Sequence, residues 1–520
     1  MKTIYYHGDI LTMAEPQQAA GVLTDGRKVL AVGEPKTLQA QAPEAHLYDL
    51  GGCTMMPAFI DAHSHFTEVA TGMLQVSLDE ADSTAAVAEK VQKHIRENGI
   101  QPGEWVQAKD YDHSRMPGGK NPTLAQLGAM APDNPLVIQH KSGHFGLFNA
   151  KALAAAGISA ETPNPAGGTI GRDAAGFTGY LEENAYFAAV KKIPLPGAKT
   201  LLSVYRRAQE KYLSYGITTI QEGMLVKEML PLYRLLLSSD LLKVDLVAYP
   251  DLETFPIVKE ELWKNYKQYD RHIKIGGIKI FLDGSPQGRT AWMETPYAGE
   301  TDYRGYGTMT DEQVKAAMQL AAQNEVQLLA HCNGDAAAAQ FLRCLAETEK
   351  DYPVLKTLRP VMIHAQLLRP DQMDQAKQCG AFVSFFAAHV YHWGDVHIKN
   401  FGLERAQQIS AAASAVKHGV PFTFHQDSPV IEPDMLETVW CAVNRKTKDG
   451  VLLGPDECIP VLEALRAVTI NAARQYGEEA EKGSIAPGKQ ADLILLSENP
   501  LCIAPEKIRD IKVVKTIKAE

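Results

Sequence analysis

Short apolar runs alternate through the middle of the chain with longer segments in which apolar positions return every three or four residues. The short runs read as buried strands and the longer ones as amphipathic helices packed over them, the signature of repeated βα units around a parallel sheet. Eight runs carry the strand pattern: AFIDAHSH (58–65), GITTIQEG (216–223), VDLVAY (244–249), GIKIFLDG (277–284), VQLLAHCNGD (326–335), PVMIHAQ (360–366), AFVSFF (381–386) and PFTFHQD (421–427). This pattern predicts an α/β fold of the (β/α)8 barrel type, whose chemistry sits at the carboxyl ends of the strands. The gap at about 66–215 is too long for one helix and holds two further strand-like runs, EWVQAKDY and PLVIQHK. It is expected to be an insertion covering the barrel mouth.

The ends of the chain read differently. TIYYHGDILTM and AAGVLTDGRKVLAVG open it, with Asp25-Gly26 placed as a hairpin turn, and GSIAPGKQADLILLSE and IKVVKTIKA close it. Neither end is large enough to bury a sheet face alone. Residues 1–57 and 455–520 are therefore expected to pack together as a β-sandwich satellite, leaving 58–454 as the catalytic barrel.

Composition narrows the functional classes. With 520 residues, 45% hydrophobic and 22% charged, the chain is an ordinary folded protein too long for a single small module. The net charge of −10 gives no electrostatic case for nucleic acid as a partner. No apolar run approaches the roughly 18–20 residues that span a bilayer, and MKTIYYHGD reaches His7 and Asp9 before a signal-peptide apolar region could form. A cytoplasmic protein without membrane contact is expected. Seven scattered cysteines without a CxxC pair fit reduced thiols rather than a disulfide framework.

The candidate chemistry lies at the ends of the predicted strands. In Asp61-Ala62-His63-Ser64-His65 the histidines are two apart, so on a strand both imidazoles face the same side. Neutral imidazole is a common ligand for zinc-like ions, and His331, His364 and Asp427 end three further strands. Their shared placement points to a metal centre. Lys279 lies inside the fourth run among Ile278, Ile280 and Phe281, where a bare ammonium would be costly. Spacing favours a pairing with Asp283 or another carboxylate. The alternative is loss of its proton and addition of carbon dioxide to give a two-oxygen carbamate.

These residues carry a resemblance. PAFIDAHSH, SGHFGLFN, IKIFLDGS, AHCNGD, MIHAQ, QDSPV and GSIAPGKQADLILLSENPL make the chain similar to the amidohydrolase superfamily. Within it, the chain resembles the branch containing N-substituted formamide deformylase and proteins labelled exoenzyme regulatory protein. The resemblance implies one or two divalent ions, most often zinc. It places His63, His65 and Asp427 around one ion and His331 and His364 around a second, with carboxylated Lys279 as the bridge. Ala58, Ile363 and Phe424-His425-Gln426 depart from the branch pattern without removing a ligand.

The implied activity is hydrolysis of a non-peptide, amide-type C–N bond in a small molecule, with Asp427 as proton shuttle and His364 beside it. A mononuclear deaminase or cyclic-amide hydrolase, or a silent regulator retaining the fold, is the alternative. Substrate contacts are expected from His144, His140, Asp283, His389 and His425. Asn149, His392, Trp393 and Asp395 add polar and aromatic groups to the expected mouth. Asp335 is expected to orient His331, and a homodimer is compatible with the family.

Overall fold

The computed structural model describes residues 1–519 other than 142–144, 175 and 195. It divides into two compact units, Met1–Val69 with Arg206–Glu520, and Ala70–Tyr205. In the first unit all eight expected runs form strands, arranged in two parallel sheets. One has the order Ile273–Ile275, Asp245–Pro250, Ile217–Leu225, Phe59–Ile60. The other has the order Gly277–Phe281, Gln327–Cys332, Val361–His364, Phe382–Phe385, Phe422–Phe424.

The two sheets meet in the fourth run, which is longer than its pattern suggested. It starts at Ile273 and breaks at Gly276, where a Cβ would stand 2.4 Å from Tyr249 Cζ. Glycine is thus required by close approach of the Tyr249 ring. At the opposite margins the backbone is also joined: Asp427 N donates to His63 O at 3.2 Å and His65 N donates to Ser428 O at 2.8 Å. Ile60, Val247, Leu329, Val361, Ile363 and Phe382 share one buried cluster. Asp245–Pro250 is buried at every position, as strands covered on both faces require. Between the fourth and fifth runs, helix Asp311–Gln323 starts where Thr310 and Gln313 form a capping box.

Segments from both termini share a seven-stranded sheet. Thr54–Pro57 pairs antiparallel with Leu493–Leu496, and Tyr5, Val22, Met55, Leu493 and Leu495 fall in one core cluster. The Asp25-Gly26 hairpin is present: Gly26 takes φ +93°, and Arg27 and Lys28 N–H groups donate to Asp25 Oδ1. The second unit carries a six-stranded sheet in which the two strand-like runs appear as Val106–Tyr111 and Leu136–His140, paired in parallel. No described helix is long and apolar enough to cross a membrane.

Candidate metal centre

The six residues expected to hold metal come together. The expectation that His63 and His65 share a strand face needs correction, because that strand ends at Ile60. Beyond it the chain bends, tied down by the His65 N bond to Ser428 O and by Gly223 N donating to Ser64 O at 2.7 Å. The imidazoles nevertheless converge, each with Nε2 3.4 Å from Asp427 Oδ1. His364 is the last residue of its strand and brings Nε2 to 3.9 Å from Asp427 Oδ2. His331, near the end of the neighbouring strand, lies with its ring 4.6 Å from that of His364. Lys279, 1% exposed, places Nζ 3.3 Å from His63 Nε2.

Three of the imidazoles are held through an outer nitrogen. Gln221 donates through Nε2 to Ala62 O at 2.8 Å, which turns its Oε1 to His63 Nδ1 at 2.5 Å. His63 Nε2 is thereby left as a bare lone pair. His331 Nε2 lies between Gly284 O at 3.1 Å and Asn333 Nδ2 at 3.0 Å. His364 Nδ1 meets His425 Nε2 at 3.0 Å. Burial holds His63 and His364 well below the ordinary imidazole pKa and His331 at about 4, so all three are neutral at neutral pH. At His65 burial acts the same way, but the Asp427 carboxylate beside it, with Glu222 beyond, raises its pKa.

Burial opposes ionisation of Asp427, yet the surrounding imidazoles, His364 foremost, hold its carboxyl well below the usual range. Its Oδ1 is buried and accepts no hydrogen bond among the described residues. Bare imidazole nitrogens around an orphaned carboxylate oxygen are a donor set that fits a divalent cation of the zinc type. The His63, His364 and Asp427 ligand atoms all lie within 4.8 Å of one another. Burial also lowers the Lys279 pKa to about 7, so a large share of its amine is neutral at neutral pH. The pairing of Lys279 with Asp283 is not formed: the Asp283 carboxylate accepts backbone N–H bonds from Asn333, Gly334 and Trp292.

Those three bonds use Asp283, expected as a substrate contact, to close the loop after the fourth strand. It is the carboxylate nearer His331, at 3.8 Å, whereas Asp335 accepts from Glu294 N and Arg369. His425 is fully buried between His364 and Ser384, whose Oγ lies 2.8 Å from its Nδ1. Its Nε2 faces His364 Nδ1 at 3.0 Å. His389 is buried too, bonded to His397 at 3.1 Å and packed on Phe386 and Trp393. His392 faces Glu437, and Asp395 accepts from the Thr447 hydroxyl. Asn149 caps helix Ala150–Ala155, and His144 lies outside the described residues.

His140 belongs to a second polar group, in the Ala70–Tyr205 unit. Its Nε2 meets His113 Nδ1 at 3.2 Å and its ring stacks on Phe145, while both oxygens of the adjacent Asp112 are engaged by Ser114 and Lys141. Sequence reasoning missed Gln221 and Ser384. A polar residue at the end of a predicted strand was the available signal for Gln221. Ser384, in mid-strand, gave none.

The chain matches the model of the amidohydrolase family over residues 46–520, and it belongs to that family. It is 27% identical over 516 residues to the N-substituted formamide deformylase of Arthrobacter pascens, covering 96% of this chain and 93% of that protein. Its fold is similar to an uncharacterized metal-dependent hydrolase from Pyrococcus horikoshii OT3, with TM-score 0.79, 24% identity, and coverage of 97% of this chain and 99% of that one. A second such hydrolase, from Pyrococcus furiosus, also gives TM-score 0.79 at 23% identity, covering 96% of this chain and all of that one.

Proposed function

We propose that this amidohydrolase-family hydrolase uses zinc to cleave a non-peptide, amide-type C–N bond in a small molecule. The observation that carries the reading is the meeting of His63 and His65 at the orphaned Asp427 Oδ1, with His364 beside its Oδ2, Lys279 against His63 and His331 against His364. The similarity to a formamide deformylase supports the bond type. The two parallel sheets then form one (β/α)8 barrel, shared through the run broken at Gly276 and closed by the bonds between 63–65 and 427–428. The sheet built from both termini is its satellite.

His63, His65 and Asp427 would hold one ion, His331 and His364 a second, and Lys279 would bridge them. When bound, zinc lowers the pKa of water from 15.7 to about 7 and polarises a carbonyl. The Asp427 carboxylate takes the proton of the attacking water and hands it to the leaving nitrogen, so that amide and water become acid and amine. Asp427 remains ionised at neutral pH because its imidazole neighbours hold its pKa down. The neutral amine of Lys279 adds carbon dioxide with release of one proton, giving the bridging carbamate.

The close grouping of His63, His364 and Asp427 favours a second reading, one ion and an unmodified lysine. Metal analysis per chain and intact mass of Lys279-containing peptides separate the two. The test of function is a hydrolysis screen of zinc-loaded protein over N-formyl and N-acyl amines with product identification. Inert protein across that panel would overturn the reading.

A further inference from the structure

We propose that Ser384 and His425 together hold His364 in the tautomer that leaves its Nε2 bare, which makes His425 a positioning residue of the metal centre. The proposal rests on the reading of His364 as a ligand. The geometry runs across three neighbouring strands. Val361–His364 pairs with Phe382–Phe385, which pairs with Phe422–Phe424, and His425 N donates to Phe385 O at 3.2 Å. The side chains then form a line. Ser384 Oγ lies 2.8 Å from His425 Nδ1, and His425 Nε2 lies 3.0 Å from His364 Nδ1. All three residues are buried, and Phe386 packs on both rings.

A nitrogen-to-nitrogen hydrogen bond needs one N–H and one lone pair, so this line has two settings. In the first, His364 Nδ1–H donates to His425 Nε2, and His425 Nδ1–H donates to Ser384 Oγ. His364 Nε2 is then bare and can ligate. In the second, the Ser384 hydroxyl donates to His425 Nδ1, and His425 Nε2–H donates to His364 Nδ1. The hydrogen then sits on His364 Nε2, 3.9 Å from Asp427 Oδ2, where it is beyond hydrogen-bond reach and blocks ligation. Only the first setting serves a metal. A ligand histidine whose outer N–H has no acceptor loses both its tautomer and its ring orientation.

Three variants test this. His425→Phe keeps the ring volume and removes both nitrogens, His425→Gln restores an acceptor, and Ser384→Ala removes the outer end of the line. Nitrogen-15 shifts of His364 in metal-free protein report the tautomer, and zinc competition against a chromophoric chelator reports affinity. The expected result is the Nδ1–H form in the wild type and mixed tautomers in His425→Phe, with zinc binding about 10–100-fold weaker. Partial recovery is expected in His425→Gln and a smaller loss in Ser384→Ala. Wild-type tautomer and affinity in folded His425→Phe would overturn the proposal. If that variant does not fold, an unchanged tautomer and affinity in Ser384→Ala would overturn it. His364→Ala separates the two levels: unchanged zinc binding there sinks the ligand reading itself, whereas loss there with none in His425→Phe sinks only the positioning role.

Discussion

Replacing Gly223 by alanine tests whether the metal centre depends on the exact seat of His63. Gly223 lies in strand Ile217–Leu225, and a Cβ there would stand 2.4 Å from His63 Cε1, 2.9 Å from His63 Nδ1 and 2.9 Å from Ser64 O. Ordinary carbon contacts fall at about 3.5–4.0 Å, so the imidazole would have to retreat by roughly 1 Å. Its retreat is resisted, because Gln221 Oε1 holds Nδ1 at 2.5 Å and Gln221 is itself fixed by Ala62 O and the Tyr476 hydroxyl. Overpacking of this kind costs about 1–3 kcal/mol, and a 1 Å displacement at a reacting centre costs about 100-fold in rate. Gly223→Ala should therefore lose about 1–3 kcal/mol in urea denaturation. On any substrate the wild type hydrolyses, kcat should fall by about 100-fold. Gly128→Ala is the control: it lies in helix Leu124–Met130 with nothing within 4 Å of the added carbon, and should gain about 0.5–1 kcal/mol. Wild-type kcat and urea midpoint in Gly223→Ala would refute the claim that this packing seats His63.

Three further outcomes are expected. Asp427→Asn should keep part of its zinc by elemental analysis yet lose about 10²–10⁴-fold in kcat, and near-normal turnover would refute the proton-shuttle role. In metal-free protein the folded pKa of Lys279, about 7, lies below its ordinary 10.5. Between those values the unfolded chain holds a proton that the folded chain lacks, so this group's contribution to stability rises with pH across that window. Lys279→Met should accordingly raise the urea midpoint of metal-free protein most at pH 6, with the cost it relieves of order 5 kcal/mol, and least near pH 10; a pH-independent difference would contradict the assignment. Prolonged chelation should abolish hydrolysis and zinc should restore it, whereas full activity in protein that elemental analysis finds free of metal would exclude metal dependence.

Much of this architecture was legible because its signals are local. The Asp25-Gly26 turn, the alternation of apolar runs with helical periodicity and the histidines at strand ends each depend on a few neighbouring residues. What was not legible depends on partners far apart in the chain. Gln221 is 158 residues from the His63 it orients, and Ser384 is 41 from His425. Asp283 read as a partner for Lys279 because it lies four positions further on, yet the loop it stabilises gathers its N–H donors from Trp292, Asn333 and Gly334. A buried carboxylate is claimed by whichever donors the fold delivers, and backbone amides are invisible to a reading of side-chain types.

The backbone of the site shows why strand periodicity stops short of the ligands. His364, Ala365 and Asp427 take φ of +73°, +45° and +54°, a region that costs a non-glycine residue of order 1–3 kcal/mol. Two of them are pinned by bonds to other parts of the chain: Ala365 N donates to Cys332 O at 2.8 Å, and Asp427 N donates to His63 O at 3.2 Å. Left-handed residues at these points end the pleated alternation, so side chains leaving different strands can turn toward one centre instead of facing alternate sides of a sheet. Two of the three strained residues are expected ligands, and the third follows one of them directly. At these three positions the geometry of the expected ligands overrides strand geometry, which is where rules of local structure should fail in a working site.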